Sequence, residues 1–476
     1  MTITRTHVSY GLIAALVSGC AAVGPNFKSP TAPTASGYTM SGDKAPGAGV
    51  KFGAPAAGPW WRDFGPAALD QVEQQALAGS PTLARADAAL AQAQAALTAA
   101  RGGLLPSVDA NAGVQRERLN LSSFGFSGGA FPTNPEFSLY SLGGTVNFPL
   151  DIFGGQRRRV ENAAALSEVA ARRGDAAALT LTGQVATAAV QVAGLNAEIA
   201  AVEQIVKDDQ QTLDLARKAT SLGGGTTGGT ISAYTQLSKD EALLPPLRQM
   251  LAVARHQLAL LVGRGPGDYD PPNFTLADFK AGQAPVALPS ELVHLRPDIQ
   301  QAEADLHAAT AEVGVATAAL YPSINLTGSL TQSALTPEKI FQPQSTAYNL
   351  GAALAAPIFD GGRRRAEREA ARAAARADLA AYQETVLTAF NQVADRLQAL
   401  ANDDETAAAN AKTLRAAEEY LRLARIALRA GAIGVQPIVD AERQLADARR
   451  TVVATDTRRA LDTIQLIIAS GARWRR

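Results

Sequence analysis

The stretch that decides how this chain folds spans residues 147–162 and reads Asn-Phe-Pro-Leu-Asp-Ile-Phe-Gly-Gly-Gln-Arg-Arg-Arg-Val-Glu-Asn. A segment of alternating polar and apolar residues precedes it, and an Ala-rich segment with helical periodicity follows it for about 65 residues. Pro149 fixes its own φ, and the pair Gly154-Gly155 can take backbone conformations that other residues avoid. We therefore expect a strand that turns directly into a long helix.

The same turn occurs a second time, which indicates an internal duplication. Residues 356–365 read Ala-Pro-Ile-Phe-Asp-Gly-Gly-Arg-Arg-Arg, with Pro357, Gly361 and Gly362 as the turn residues. Two more pairs of segments keep nearly the same spacing and order, namely 105–109 with 321–325 and 215–217 with 423–425. The unit is too long for a solenoid repeat, so we interpret the chain as a tandem repeat of one module of strands and a helical hairpin.

The only cysteine, Cys20, lies where the signal peptide of a bacterial lipoprotein ends. Arg5 and His7 precede an apolar run, and residues 16–20 read Leu-Val-Ser-Gly-Cys. Small residues before a cysteine admit the signal peptidase, and the thiol then becomes the lipid attachment point. An ordinary secretory signal with an incidental cysteine is the alternative. Ala21 follows rather than Asp, which favours the outer membrane.

Composition bounds the class of protein. The 476 residues carry a net charge of +0 and only 5% aromatic residues, so the chain has no basic footprint for nucleic acid and little of the aromatic content of an enzyme core. No cysteine or histidine spacing predicts a metal site, and we expect no cofactor. After the signal peptide we identify no stretch of about 20 uncharged apolar residues, so a membrane crossing is expected to use strands.

Four segments alternate between apolar and polar residues, and we predict strands at 107–118, 138–150, 322–332 and 347–358. Each is about as long as a tilted strand that crosses a bilayer. One apolar and one uncharged polar face are typical of a water-filled barrel in lipid. A half-buried sheet of a soluble domain is the alternative. The positions predicted to face the lumen are Asp109, Asn111, Thr145, Asn147, Asn325, Thr327 and Asn349.

Four strands are too few to close a barrel. The smallest membrane barrels have about eight strands, and an open sheet edge in lipid would leave backbone groups without hydrogen bonds. The strands of several copies must therefore share one barrel, and the sequence by itself allows two or more copies.

The remaining segments define the domain organisation. We predict a signal peptide at 1–19, a lipid-anchored extended arm at 20–65 that ends in the apolar residues Trp60, Trp61 and Phe64, and a C-terminal tail at 471–476. The first repeat spans 66–263, a loop-rich equatorial connector spans 264–297, and the second repeat spans 298–470. Helical hairpins are expected at 157–262 and 363–469, the first of them interrupted by Pro245-Pro246.

Each hairpin has glycine-rich residues at its tip and an arginine run at its base. The tips contain Gly223 and Gly224 in the first repeat and Gly431 and Gly434 in the second. The arginine runs occupy 157–159 and 363–365. We expect these arginines on a solvated surface paired with carboxylates, with anionic lipid headgroups as the alternative contact.

Taken together, these features resemble the TolC-like outer membrane factor family in its lipidated efflux-channel branch. The resemblance rests on the segments 16–20, 23–30, 296–303 and 319–323 and on both strand-to-helix turns, and it covers essentially all of the mature chain. It implies a mixed α and β fold in which three identical chains build a twelve-stranded outer-membrane barrel continuous with a periplasmic helical barrel. It also implies a passive, non-enzymatic exit duct, with outer membrane lipid, a periplasmic adaptor protein and an inner-membrane transporter as partners.

The resemblance further implies an aperture at the second hairpin tip. Asp440, nine residues after Gly431, falls on the ring aspartate of the family, and Gln436 falls where the family usually has an apolar constriction residue. Ala427 and Leu428 stand where the family often has Arg-Tyr, so the usual latch bonds are not expected. The alternative role for Asp440 is a solvated residue in the first turn of a helix. The four tip glycines are expected to contact the adaptor.

Three functions remain open at this point. The first is efflux of small toxic solutes, gated at the periplasmic helix tips. The second uses the same architecture for type I protein secretion or metal-ion efflux. The third is a coiled-coil envelope lipoprotein that forms no channel.

Overall fold

The computed structural model describes residues 22–31, 37–45, 47, 49–53, 59–120, 134–472 and 474. The predicted signal peptide, Cys20 and residues 121–133 of the first strand loop lie outside these residues. The chain divides into two compact units. Unit one comprises Met1–Ser29, Ala91–Val169 and Glu303–Ala381, and unit two comprises Pro30–Leu90, Ala170–Ala302 and Tyr382–Arg476.

Helices and strands of the described residues follow the predicted duplication. In chain order they are β1 Val50–Phe52, α1 Trp61–Phe64, α2 Ala67–Gly79, α3 Pro81–Gly102, β2 Ser107–Arg118, β3 Glu136–Leu150, α4 Gly155–Ser221, α5 Thr227–Glu241, α6 Leu244–Leu261, β4 Ala284–Val286, α7 Pro289–Leu295, α8 Pro297–Ala318, β5 Ser323–Ala334, β6 Thr346–Ala355, α9 Arg363–Arg429 and α10 Gln436–Ala469.

Unit one contains a four-stranded antiparallel sheet in the order β2-β3-β5-β6. The two hairpins of the two repeats therefore lie side by side, joined along β3 and β5. The bounds differ from the prediction mainly in the fourth strand, which ends at Ala355 and not at 358. Pro357 has no N–H to donate to a ladder, so the strand ends before it.

Unit two contains a core of helices and of residues from the chain near its N-terminal end. Trp60, Trp61 and Phe64 are each at most 2% exposed, so their predicted role as a hydrophobic anchor agrees with the structure. The Trp60 and Trp61 rings meet edge to face with centroids 6.2 Å apart. The break predicted at Pro245-Pro246 also occurs, because α5 ends at Glu241 and α6 begins at Leu244.

Two predicted loop regions contain secondary structure that the sequence did not reveal. Strand β1, inside the predicted arm, pairs in parallel with β4, inside the predicted connector. The connector also contains α7, and Pro297 already belongs to α8. Three-residue strands are too short to show alternation, and these two pair across more than 200 residues of sequence, so no local pattern indicated them.

One expectation about membrane spans is wrong. By length and composition α4 contains an 18-residue stretch that is apolar enough to cross a membrane. More than half of that stretch, 56%, is buried inside the folded chain, as is typical of a core helix. Val185, Val190 and Val192 of α4 belong to the main hydrophobic core.

Candidate functional site

The register of the sheet places all of the predicted lumen residues on one face. Residues paired directly across antiparallel strands point to the same side of a sheet. One cross-strand row consists of Asp109, Thr145, Ser329 and Asn349. The other predicted positions fall on the same face by strand alternation: Asn111, Asn147, Asn325 and Thr327. Within this face the Asn325 amide donates to the Asn147 side-chain oxygen at 2.6 Å.

The opposite face of the sheet is apolar and exposed. Val108, Val146 and Leu350 form one of its cross-strand rows, together with Gly328. Val108 is 74%, Tyr348 79% and Leu350 82% exposed. A contiguous apolar surface of this kind marks contact with lipid or with another protein.

Both edges of this sheet are open among the described residues. Strand β2 pairs with β3 alone, and β6 pairs with β5 alone. Such edges present a row of unpaired N–H and C=O groups to any further strand. With four antiparallel strands in sequence, β2 and β6 run in opposite directions, so the β6 edge of one sheet can extend antiparallel onto the β2 edge of another.

The turn that follows the sheet in the first repeat is fixed by Asp151. Its carboxylate accepts hydrogen bonds from the backbone N–H groups of Gln156 and Arg157, both at 2.8 Å, at the start of α4. A negative charge is favourable at a helix N-terminus. Pro149, predicted as a turn residue, lies inside β3 opposite Asn325, one residue before the strand ends, and Gly154 takes a φ of 77° before Gly155 begins the helix.

The corresponding turn of the second repeat uses Asp360 in the same way. Its carboxylate accepts from the backbone N–H groups of Gly362 at 3.0 Å and Arg364 at 3.3 Å. Pro357 lies between the end of β6 and this turn. Gly361 and Gly362 have φ values of 65° and 89°, which is why glycine is needed there.

The prediction of a surface role for the arginine runs is confirmed for Arg157 and wrong for Arg158. Arg157 pairs with Asp151 at 3.2 Å. Arg158 is only 4% exposed, and its guanidinium contacts the backbone of residues 22–24. Three adjacent arginines look alike in sequence, and the acceptors that bury Arg158, on residues 22–26, lie more than 130 positions away.

The two hairpin tips end α4 and α9 with the same hydrogen bonds. Gly224 donates from its backbone N–H to Ala219 at 2.9 Å and Gly223 to Thr220 at 3.1 Å. Ala432 and Gly431 make the corresponding bonds to Ala427 and Leu428, at 2.9 and 3.0 Å. This closure requires a left-handed residue, and Gly223 and Gly431 have φ values of 79° and 70°. Gly434 lies in the turn before α10.

The residues of the predicted aperture lie in the first turns of α10. Gln436 is exposed and Asp440 is partly exposed, and the Gln436 amide donates to Asp440 at 3.2 Å. This contact holds both side chains on one side of the helix start. The contact fits both roles predicted for Asp440, a member of a ring of aspartates at the aperture and a solvated residue in the first turn of a helix.

Sequence reasoning missed a buried acidic cluster next to these helix tips. Asp209 of α4, Asp240 of α5 and Glu442 of α10 are each at most 9% exposed. The Thr212 hydroxyl lies 2.8 Å from both carboxylate oxygens of Glu442, and Arg425 donates to the same carboxylate at 3.1 Å. With Arg425, the cluster thus joins the four helices on either side of the two tips, α4, α5, α9 and α10.

Burial shifts the ionisation of this cluster. Burial, a hydrogen bond shared with Asp240 and the negative charges of Asp240, Glu442 and Asp208 raise the pKa of Asp209 from 3.8 to about 8. Burial also raises the pKa of Glu442, against the opposing effects of Thr212 and Arg425. Asp209 therefore stays protonated near neutral pH and can donate a hydrogen bond to its neighbour in the cluster. The only signal in the sequence was the helical spacing of Gln236 and Asp240, whose side chains bond at 2.8 Å.

A second carboxylate pair lies further along the second hairpin. Burial and a hydrogen bond to Asp462 raise the pKa of Asp403 from 3.8 to about 6, while Arg458 opposes the shift. Arg458 donates to Asp403 at 3.0 Å, and Arg396 pairs with Asp462 at 3.3 Å. Within the part of the chain that the structure describes, no group of three or more His, Cys, Asp or Glu side chains is placed to hold a metal ion.

Known proteins share this architecture along most of their length. The family model of the outer membrane efflux protein matches residues 72–264 and 288–472. The pyoverdine export outer membrane protein OpmQ of Pseudomonas aeruginosa is 31% identical over 418 residues, which cover 87% of each chain. The toluene efflux pump outer membrane protein TtgC of Pseudomonas putida is 28% identical over 99% of this chain and 96% of its own.

The fold has solved counterparts as well. The outer-membrane channel OprN superposes with a TM-score of 0.85 at 26% identity, over 95% of this chain and all of its own. The chain belongs to the outer membrane efflux protein family. It is an outer membrane protein with a large periplasmic part, and it provides the outer membrane channel of a tripartite efflux system.

Proposed function

We propose that three copies of the chain close one barrel in the outer membrane and form a passive exit duct for small toxic organic solutes. The four-stranded sheet carries this proposal. It has two open edges of opposite direction, an exposed apolar face, and a second face that collects the polar side chains. In lipid such edges must be paired, and the β6 edge of one copy against the β2 edge of the next leaves no edge free.

The class of solute is supported by the polar face. Its side chains are mainly amides, hydroxyls and glycines, with Asp109 as the acidic member of the predicted set. Such a lining offers hydrogen bonds and little apolar surface, so it does not bind organic molecules strongly. The names of the two relatives, pyoverdine export and toluene efflux, both specify small organic molecules.

The gate and the docking surface are assigned to the helix tips. In three copies around one axis, Asp440 and Gln436 would repeat as rings at the first turn of α10. Three carboxylates near one axis repel each other and attract cations. The paired glycine turns at 223–224 and 431–434 leave exposed apolar residues beside them, such as Leu222 and Ile231, for a periplasmic adaptor that connects to an inner-membrane transporter.

The test of assembly is native mass spectrometry of the mature protein in detergent, in which the mass of three chains is expected. A monomer that stays soluble without detergent contradicts the barrel and favours a coiled-coil lipoprotein.

The test of transport is drug susceptibility. Deletion of the gene for this protein is expected to sensitise a strain that lacks related channels to toluene and to hydrophobic antibiotics. Unchanged susceptibility with impaired export of a polypeptide or of a metal ion favours the second function.

The gate is tested by conductance in planar bilayers. Asp440→Ala is expected to raise the open probability, because it removes the contact with Gln436 and the carboxylates whose attracted cations would bridge the three copies. Asp447→Ala is the matched control, since Asp447 is an exposed acid two turns further along the same helix. Equal conductance of the two variants contradicts the gate assignment.

A further inference from the structure

The segment that follows the predicted lipid-attachment cysteine is held by a buried arginine. The guanidinium of Arg158 donates to the backbone carbonyls of Val23 at 3.2 Å, Gly24 at 3.4 Å and Ala22 at 3.5 Å. It also donates to the side-chain oxygen of Asn26 at 2.7 Å. Glu161, one turn further along α4, accepts from the remaining guanidinium nitrogen at 2.6 Å. Nearly every donor of Arg158 is thus used, most of them by residues 22–26.

Three glycines allow this segment to lie directly on the body of unit one. A Cβ at Gly154 would lie 2.4 Å from the Ala22 Cα, and a Cβ at Gly24 would lie 2.6 Å from the Gly314 Cα. A Cβ at Gly314 would lie 2.7 Å from the Arg158 side chain, which passes over it. The Val23 N–H completes the contact by donating to the Phe153 carbonyl, in the turn below β3, at 3.0 Å.

An aromatic contact ends the docked segment. The Phe27 ring stacks on the ring of His307 in α8, with centroids 4.3 Å apart. His307 also lies 3.1 Å from the Glu161 carboxylate that accepts from Arg158, so the two ends of the contact share one acceptor. Arg158, Glu161 and His307 therefore form one pocket, which we call the arm dock, for residues 22–27.

We infer that the arm dock is the binding site that positions the lipid anchor at the base of the strand sheet, so that the sheet enters the outer membrane at the correct depth. Ala22 is two residues from Cys20, and two residues span at most about 7 Å. The docked Ala22 lies against the Gly154 turn, directly after β3. An acyl group on Cys20 is thereby confined beside the ends of the strands. In this assignment Arg158 is a positioning residue.

This inference rests on the proposed function, because it assumes that the apolar face of the sheet contacts lipid. Its test uses the full chain, expressed with its signal peptide, and two local readouts. The first is the rate of trypsin cleavage after the exposed Lys28, which reports undocking of the segment. The second is labelling of Leu350→Cys, on the apolar face, by a membrane-impermeant maleimide. The chain without Leu350→Cys shows whether the Cys20 thiol is itself blocked.

Variants on both sides of the contact separate docking from folding. Arg158→Ala removes the donor, and Asn26→Ala removes an acceptor from the exposed arm without touching the body of the protein. Arg159→Ala and Ser29→Ala, both at exposed neighbours, are the matched controls. Arg158→Lys keeps the charge and loses the fork of donors, so it is expected to restore docking only in part.

The expected result is that Arg158→Ala speeds cleavage after Lys28 about 10- to 100-fold, as loss of charge-assisted hydrogen bonds predicts. Asn26→Ala is expected to act in the same direction, and both variants raise the labelled fraction of Leu350→Cys, while the controls change neither readout. Should Arg158→Ala fail to fold, Asn26→Ala decides the matter. Faster cleavage with a protected reporter overturns the inference, as does unchanged cleavage. A reporter that is labelled freely in the unmodified background overturns the proposed function, and the inference with it.

Discussion

The two strand-to-helix turns of this chain have nearly the same local sequence and very different surroundings. Both place an aspartate, Asp151 or Asp360, so that it accepts from backbone N–H groups at the start of a long helix. In the first repeat, Arg158 is buried and Gly154 touches the arm. In the second, Ile358 and Phe359 are 96% and 92% exposed, and a Cβ at Gly361 or Gly362 would meet no atom within 4 Å.

The difference shows what a duplicated sequence shares and what it does not. Local hydrogen bonds depend on residues within one turn, so duplication copies them. Burial depends on what packs against the turn, and the chain has one N-terminal arm for two turns. The exposed apolar pair of the second turn is therefore available to lipid or to a neighbouring copy, as the proposed trimer requires.

The largest expected difference between the repeats concerns their arginines. Arg158→Ala is expected to destabilise the protein by about 3–5 kcal/mol, because it removes the buried guanidinium from several carbonyls and from the Glu161 carboxylate, which keeps only its contact with His307. Arg365→Ala, at the exposed position of the second run, is expected to change stability by no more than about 0.5 kcal/mol. Thermal unfolding in detergent, followed by circular dichroism, measures both. Equal losses would mean that the burial of Arg158 contributes nothing.

The glycines of the two turns give the next largest difference. Gly154→Ala combines a left-handed φ with a Cβ placed 2.4 Å from the Ala22 backbone, and we expect a cost of about 2–4 kcal/mol. Gly361→Ala meets only the cost of its φ, about 1–2 kcal/mol. The same unfolding assay applies. In addition, Gly154→Ala alone is expected to expose Lys28 to trypsin, and slow cleavage in that variant would show that the arm tolerates the extra atom.

These contrasts mark the limit of what the sequence could predict. The alternation of polar and apolar residues predicted the strands. It also grouped Asp109, Thr145 and Asn349 correctly on one face, because a strand places every second residue on one side. Pro245-Pro246 predicted a helix break for an equally local reason. The burial of Arg158 and of Asp209 could not be predicted, since each depends on partners that the fold brings from distant segments. The lumen and aperture roles of the predicted residues remain predictions.

The two buried carboxylate pairs differ in the pH range over which they change the stability of the folded protein. Asp209 has a raised pKa, so the folded state holds a proton that the unfolded chain releases above about 3.8. Stability is then greatest at low pH and is lost progressively until the pH passes about 8. Arg458 opposes the rise in the pKa of Asp403, so the stability that this group contributes is already lost once the pH passes about 6.

Asparagine substitutions test which of the two groups loses its proton at the higher pH. Asp209→Asn is expected to flatten the decline of the thermal midpoint up to about pH 8, whereas Asp403→Asn flattens it only up to about pH 6. Unfolding midpoints measured across this range for both variants and the parent chain distinguish the two. A decline between about pH 6 and about pH 8 that survives in Asp209→Asn would assign the titration to another group.

The smallest expected difference lies at the helix tips, where the two repeats should behave alike. Gly223 and Gly431 have similar φ values, make equivalent closing bonds, and have no atom within 4 Å of an added Cβ. Gly223→Ala and Gly431→Ala should therefore each cost about 1–2 kcal/mol, the penalty for a left-handed alanine, and should differ by less than the error of the assay. This equality makes the tips the internal control for the turns: the same duplication that diverges where the arm packs is expected to stay symmetric where nothing packs. A clearly larger loss at Gly431 in the assembled protein, but not in a dissociated chain, would locate a contact between copies at the second tip.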